Sequence, residues 1–342
     1  MDAGRLNRDS GYWPLAMWYL LLNESCKMTS KRIKAAAVVF LTILLLGGCA
    51  RFEQKIFDWG LSVERQRSGL IPRTIRLDGQ NIVYLERKGE GDTIVLLHGF
   101  GANKDTWVRF VRYMPKKFHI VAIDMLGHGD NSRNPDLSYN AQHLTDAFSS
   151  TVELLGLRRF HLAGHSLGGY VAMLYAAKNP QKLITLSLFA SGGVLSPTPT
   201  DFQRALATGE NPIKVDSAES FDRMMNLVFY KKPFVPWPMR SVILRQCIER
   251  NEFEKKMWHD IWKDWQDATE LLPQIQTPVF LLWGDKDRIM HVSCVNVYRR
   301  YLPQAETVII KNCGHGLIFE RPKEAAEAYA NFLQNAKTRE YK

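Results

Sequence analysis

From Arg73 onward the chain alternates between two hydrophobic periods. The runs Thr93–Leu97, His119–Ile123, Phe160–Ala163, Leu183–Phe189, Val279–Trp283 and Thr307–Ile310 are short, apolar and bounded by polar or glycine-containing segments, which predicts buried strands. Between them, Asp105–Met114, Tyr139–Leu155, Leu167–Lys178, Val292–Tyr301 and Pro322–Leu333 carry helical spacing. Strands that alternate with helices predict an α/β fold with a mostly parallel sheet covered on both faces. Ahead of this series, Thr74–Leu77 and Ile82–Glu86 flank Asp78-Gly79, a hairpin signal.

Two stretches depart from the alternation. Residues 192–272 contain no βα unit but are rich in large apolar groups, among them Phe202, Phe221, Phe229, Phe234, Trp237, Trp258, Trp262 and Trp265. Such an insertion between two strands predicts a helical lid over the C-terminal edge of the sheet, where open α/β sheets bind ligands. The core is then expected over residues 73–191 and 273–342. Residues 49–72 form a charged lead-in in which Phe52, Ile56, Trp59 and Val63 recur at helical spacing. A short amphipathic helix lying on the globule is expected there.

The N-terminus changes the picture. From Met28 the sequence reads M-T-S-K-R-I-K, then an apolar run from Ala35 to Leu46, then Gly47-Gly48-Cys49. A basic segment, an apolar core of about 7–15 residues and small residues before the cut describe a secretory signal. The run is too short for the ~20 residues that span a bilayer. Leu46-Gly47-Gly48-Cys49 resembles a bacterial lipobox, which implies a signal peptide over 28–48 and acylation of Cys49. The expected location is the cell envelope, lipid-anchored to a membrane, and the outer one by the Ala50 that follows Cys49. Residues 1–27 precede an intact signal with its own Met and are expected to be a non-native extension.

Composition excludes some classes. Apolar residues make up 46% and charged residues 23%, the balance of a globular protein rather than a disordered one. Lys and Arg outnumber Asp and Glu by 45 to 35. No dense basic stripe follows Lys31-Arg32-Ile33-Lys34, so no nucleic-acid partner is expected. Cys247, Cys294 and Cys313 remain after the leader; at most one pair could form. No His/Cys cluster has metal spacing, so neither a metal nor any other cofactor is expected.

The chemistry concentrates in four stretches. Gly164-His165-Ser166-Leu167-Gly168 matches G-x-S-x-G directly after a strand and at the start of a helix, the setting of a nucleophile elbow with Ser166 at its tip. A serine nucleophile needs a base and an orienting acid, which follow it in the chain on loops after later strands. His315, in Asn312-Cys313-Gly314-His315 after the last strand, is the candidate base. Two carboxylates compete for the acid, Asp285 and Asp287 in Gly284-Asp285-Lys286-Asp287; Asp287 sits deeper in the loop. Oxyanion donors are expected at the backbone N–H of Leu167 and in His98-Gly99-Phe100-Gly101, at Phe100. His98, His165, Asp124 and His128 are read as structural.

From about Arg73 to its end the chain resembles the α/β-hydrolase superfamily, and within it the lipase and monoacylglycerol-lipase branch found among bacterial lipoproteins. The resemblance rests on H-G-F-G-A-N-K-D-T-W (98–107), D-M-L-G-H-G-D-N-S (124–132), G-H-S-L-G-G (164–169), W-G-D-K-D (283–287) and N-C-G-H (312–315). It implies the α/β-hydrolase fold, a Ser166-Asp287-His315 triad, with Asp287 favoured by its G-x-x-D spacing, and the oxyanion donors Phe100 and Leu167. The expected activity is hydrolysis of an apolar acyl ester such as a monoacylglycerol through an acyl-enzyme. The same triad and lid also serve carbon–carbon bond hydrolases and short-chain esterases, and the scaffold can persist as an inactive envelope-binding lipoprotein. Dehalogenase and epoxide-hydrolase chemistry is disfavoured, because those relatives carry Asp where this chain has Ser166.

Overall fold

A computed structural model of the chain describes residues 50–340; the expected extension, the signal segment and Cys49 lie outside the described residues. Eight strands form one sheet: β1 (Ile71–Leu77), β2 (Gln80–Arg87), β3 (Thr93–Leu97), β4 (His119–Ile123), β5 (Phe160–His165), β6 (Leu183–Phe189), β7 (Val279–Gly284) and β8 (Glu306–Ile310). Their spatial order is β1-β2-β4-β3-β5-β6-β7-β8. The pairs β1/β2 and β2/β4 are antiparallel and every later pair is parallel. The predicted fold class, a mostly parallel sheet in an α/β protein, is the one observed.

The hairpin joining β1 to β2 turns on Asp78 and Gly79, with φ of 46° and 78°. Positive φ at both central positions is what a tight turn matching the strand twist requires, and Asp-Gly supplies it at low cost. In the middle of the sheet, β5 and β7 are buried at every position. That explains their continuous apolar runs: helices cover both faces, so no alternation survives.

The helices before β6 are α1 (residues 50–68), α2 (Val108–Tyr113), α3 (Ala141–Leu154) and α4 (Leu167–Lys178). Between β6 and β7 follow α5 (Asp201–Ala207), α6 (Ala218–Val228) and α7 (Met239–Lys263), and after β7 come α8 (Cys294–Tyr301), α9 (Leu317–Glu320) and α10 (Pro322–Glu340). The segment between β6 and β7 thus carries three helices. Asp105–Met114 splits into a 3-10 turn over Lys104–Trp107 and α2, because Asn103 caps the first turn through the Asp105 N–H. Likewise α3 begins at Ala141, where Asn140 accepts from His143 N–H, while the Tyr139 N–H is taken by Asp260 of α7 at 3.0 Å. The amphipathic lead-in is a helix, but its stripe is not wholly packed: Trp59 is 70% exposed. Cys247, Cys294 and Cys313 are all free thiols.

Candidate active site

Ser166 sits between β5 and α4 with φ 54° and ψ −119°, a conformation that costs of order 1–3 kcal/mol for a residue with a side chain. Its surroundings hold it there. The Ser166 N–H donates to Phe189 C=O of β6 at 3.0 Å, and its C=O accepts from the N–H groups of Gly169, Tyr170 and Gly192 at 3.0, 3.1 and 3.0 Å. A side chain at Gly164 would overlap the Gly168 carbonyl, and one at Gly168 would overlap the carbonyls of Leu97 and His98. The turn therefore admits only glycine two residues before and two residues after the serine. The approach at Gly168 also seats the elbow directly on the loop that follows β3.

Asp287 and His315 come from the loops after β7 and β8. His315 Nδ1 lies 2.9 Å from Asp287 Oδ2, and both residues are buried. A carboxylate oxygen can only accept here, so Nδ1 carries the proton and Nε2 is left as the acceptor nitrogen. The other carboxylate oxygen, Oδ1, accepts from Ile289 N–H at 2.8 Å and Met290 N–H at 2.9 Å. Asp285 is placed differently: it accepts from Cys313 N–H at 3.4 Å and lies 3.7 Å from Lys286 Nζ. Among the described residues no hydrogen bond joins the Ser166 hydroxyl to His315. The link between their loops runs through the neighbour, since His165 Nε2–H donates to the His315 carbonyl at 2.9 Å with the two rings 4.8 Å apart.

The expected oxyanion donors sit beside this arrangement. Leu167 is the first residue of α4, whose initial N–H groups have no partner within the helix. Phe100 follows Gly99, at which a Cβ would lie 3.2 Å from Ser166 Cβ. The Phe100 ring meets Trp258 of α7 edge-on at 5.4 Å, and Trp258, Trp262 and Trp265 continue as a series of ring contacts at 5.4 and 5.9 Å. An aromatic wall thus runs from the loop after β3 along α7 to Trp265.

Three buried histidines, His98, His128 and His165, support the site. Burial lowers the basicity of His98 strongly, that of His128 to about 4 and that of His165 to about 3. His98 accepts from Met125 N–H at 3.1 Å, so its Nδ1–H donates to Gly99 C=O at 2.7 Å and ties the loops after β3 and β4 together. Asp124 is the centre of a buried ion cluster: Lys104 Nζ contacts Asp124 at 2.8 Å and Asp130 at 2.6 Å, and the N–H groups of Lys104 and Asp130 also reach the Asp124 carboxylate. Burial works against the Lys104 charge, but the carboxylates of Asp124 and Asp105 hold its basicity above the ordinary value.

Two contributors had no signal in the sequence. Lys104 is 1% exposed although a lysine is the residue least expected in a core. Glu320 in α9 accepts from Gly314 N–H at 2.8 Å, and from Tyr230 and Lys231 N–H at 3.2 and 2.9 Å. It therefore fastens the end of α6 to the loop that carries His315.

Comparison with known proteins places this geometry. The profile of the alpha/beta hydrolase family matches residues 94–328. Lipase 1 of Psychrobacter immobilis is 29% identical over 317 residues, covering 89% of this chain and 98% of that protein. Monoacylglycerol lipase ABHD6 of Mus musculus is 31% identical over 260 residues, covering 72% of this chain and 77% of that protein. Among solved structures, a bacterial membrane phospholipase A superposes with a TM-score of 0.82 at 33% identity, over 90% of this chain and 99% of that one. A meta-cleavage product hydrolase from Pseudomonas fluorescens, with a TM-score of 0.67 at 19% identity over 77% of this chain and 98% of that one, shares the fold.

Proposed function

The chain belongs to the alpha/beta hydrolase family and is a hydrolase, and on that premise we propose that it is a serine carboxylic-ester hydrolase of apolar acyl esters, a lipase or monoacylglycerol lipase. The observation that carries this reading is the Ser166 elbow beside an Asp287–His315 pair joined at 2.9 Å. Ser166 Oγ attacks the ester carbonyl while His315 Nε2 takes its proton, and Asp287 holds the imidazole in the tautomer that permits this. The N–H groups of Phe100 and Leu167 receive the developing oxyanion. His315 then gives the proton to the leaving alcohol, and water, deprotonated by the same nitrogen, releases the acid from Ser166.

Two further observations support an apolar acyl group: the aromatic wall from Phe100 to Trp265, and the lipase names of relatives that align over most of the chain. The carbon–carbon hydrolase reading rests on likeness of fold alone at 19% identity. We place the enzyme at a membrane, tethered through acylated Cys49 at the end of a signal over residues 28–48. No helix among the described residues is long and apolar enough to cross a bilayer.

The test is a hydrolysis series of p-nitrophenyl and glyceryl esters of graded chain length, run on wild type and Ser166→Ala. Wild type is expected to favour esters longer than acetate, and a folded Ser166→Ala protein to lose on the order of 10⁴–10⁶ in kcat. Substantial activity in that variant would remove the reading.

A further inference from the structure

The loop from α6 to α7, residues 229–238, reads F-Y-K-K-P-F-V-P-W-P. Phe229 is buried against Phe319, but Tyr230, Phe234 and Trp237 are 45, 88 and 63% exposed, with exposed Lys231 and Lys232 between them. A second exposed aromatic lies close by in space. Gly60 of α1 packs at Met239, where a Cβ would stand 3.6 Å from Met239 Cε, and Met239 directly follows Trp237-Pro238. Trp59, next to Gly60, and Lys55, one turn earlier, are both exposed.

Four large aromatic groups from two distant segments thus reach solvent around the start of α7, interleaved with lysines. Water gives no reason to keep such a cluster, and contiguous exposed apolar surface marks an interaction site. Trp and Tyr beside Lys match the headgroup region of a bilayer, where the ring is half-buried in apolar chains and the amine meets phosphate. The N-terminal chain points the same way. Trp59 lies ten residues along the chain from Cys49, the proposed anchor.

We propose that Trp59, Tyr230, Phe234 and Trp237 form a surface that docks on a bilayer containing anionic phospholipid, with Lys55, Lys231 and Lys232 at the headgroups. This rests on the membrane-side ester hydrolase reading and adds to it a second point of attachment beyond Cys49. The surface is mechanically joined to the site. Immediately before the exposed stretch, Val228 C=O accepts from Gly316 N–H at 3.0 Å, and Glu320 bridges Tyr230 and Lys231 to Gly314. A docked loop therefore holds the His315 segment, and with it the site, at the lipid face from which an apolar ester would enter.

The test uses the full chain and vesicles of phosphatidylcholine with 30% phosphatidylglycerol, whose negative surface attracts exposed lysines. Hydrogen exchange of Ser166→Ala protein should show protection over residues 229–238 and 54–63 when vesicles are added, and less with pure phosphatidylcholine. In otherwise native enzyme, the double variant Phe234→Ser/Trp237→Ser should lose at least tenfold in rate on a long-chain monoacylglycerol held in those vesicles. Its rate on a water-soluble short-chain ester should stay within twofold. Lys231→Glu/Lys232→Glu should reproduce the vesicle defect on anionic vesicles only. Protection that appears with rising protein concentration and no lipid would assign the surface to a second copy of the chain and overturn the proposal. So would unchanged exchange with vesicles, or equal losses on both substrates. Loss of all ester hydrolysis by wild type would instead strike the ester hydrolase reading, which the exchange experiment does not depend on.

Discussion

Replacing Asp287 with Asn tests the site at the point where its hydrogen bonds are most fully specified. Asp287 Oδ1 accepts two backbone N–H groups, from Ile289 and Met290, and Oδ2 accepts the His315 Nδ1–H. An asparagine can satisfy the two backbone donors only by keeping its oxygen at the Oδ1 position, which turns its NH₂ toward His315. Nδ1 must then become the acceptor, so the proton moves to Nε2 and the nitrogen facing the nucleophile can no longer take a proton. The loss in kcat should be about 10⁴, the scale known for the same change in a serine-protease triad, equivalent to about 5.4 kcal/mol of transition-state stabilisation. The fold should survive, because the backbone donors keep an acceptor, and the stability loss should stay within the ~1–3 kcal/mol of one disturbed buried polar contact. Asp285, which makes one long bond and a half-exposed lysine contact, should respond to Asn by less than about threefold in kcat. The assay is single-turnover acylation by a p-nitrophenyl ester, with urea unfolding of each variant as the control for folding. Retention of activity within tenfold in Asp287→Asn, or an equal loss in Asp285→Asn, would refute the assignment of the acid and the tautomer argument with it.

The remaining predictions concern supports of the site. Lys104→Met should destabilise the protein by about 3–5 kcal/mol, lowering Tm by roughly 10 °C, because Asp124 is left charged and buried without its cation; a change under about 1 kcal/mol in urea unfolding would contradict the ion-cluster account. Glu320→Ala orphans the N–H groups of Gly314, Tyr230 and Lys231 and should lower kcat on a soluble ester about tenfold with KM little changed, whereas an unaltered kcat would show that the His315 loop holds its place unaided. Acid stability follows from His98, His128 and His165, whose burial lowers their basicity in the folded state while the unfolded chain titrates near pH 6.5. Stability is then fully present above about pH 6.5 and falls as pH drops toward 4, by about 1.4 kcal/mol per pH unit for each histidine and about 4 for the three together. A flat stability between pH 6.5 and 5 in urea titrations would count against neutral buried imidazoles. Cys49→Ser should release the enzyme from the membrane fraction with activity on a soluble ester kept; unchanged fatty-acid labelling in that variant would show that the anchor lies elsewhere.

The inner strands were legible because they answer to burial alone, whereas β8 has only Ile310 buried. Thr93–Leu97, His119–Ile123 and Leu183–Phe189 appear with the bounds their apolar runs suggested. Helix starts were less so, since they depend on which residue caps: Asn140 rather than Tyr139 opens α3, a choice made by a contact with Asp260, far along the chain. The stripe on α1 was visible as a period of 3.6, but periodicity says only that one face is apolar, not what covers it. Trp59 points into solvent.

The site divides along the same physical line. Ser166 could be read because the constraint is local: the elbow needs glycine at 164 and 168, and a strand and helix on either side, all within a few residues of the serine. The acid could not be fixed by any local rule, because Asp285 and Asp287 share one loop and either could be oriented toward a base. What separates them is where the amides of Ile289 and Met290 point, a property of a turn whose shape is also held by Trp283 Nε1–H on Met290 C=O at 2.8 Å. Lys104 and Glu320 lie further along this scale. A charged side chain in isolation reads as surface, and both acquire their roles only through partners that folding brings in: Asp124 and Asp130 for the lysine, and three amides on two loops for the glutamate. In this chain sequence reasoning reaches the proposed nucleophile, because its geometry is set by its immediate neighbours. It does not reach the charges that hold the site in place, because their partners are set by the topology of the sheet.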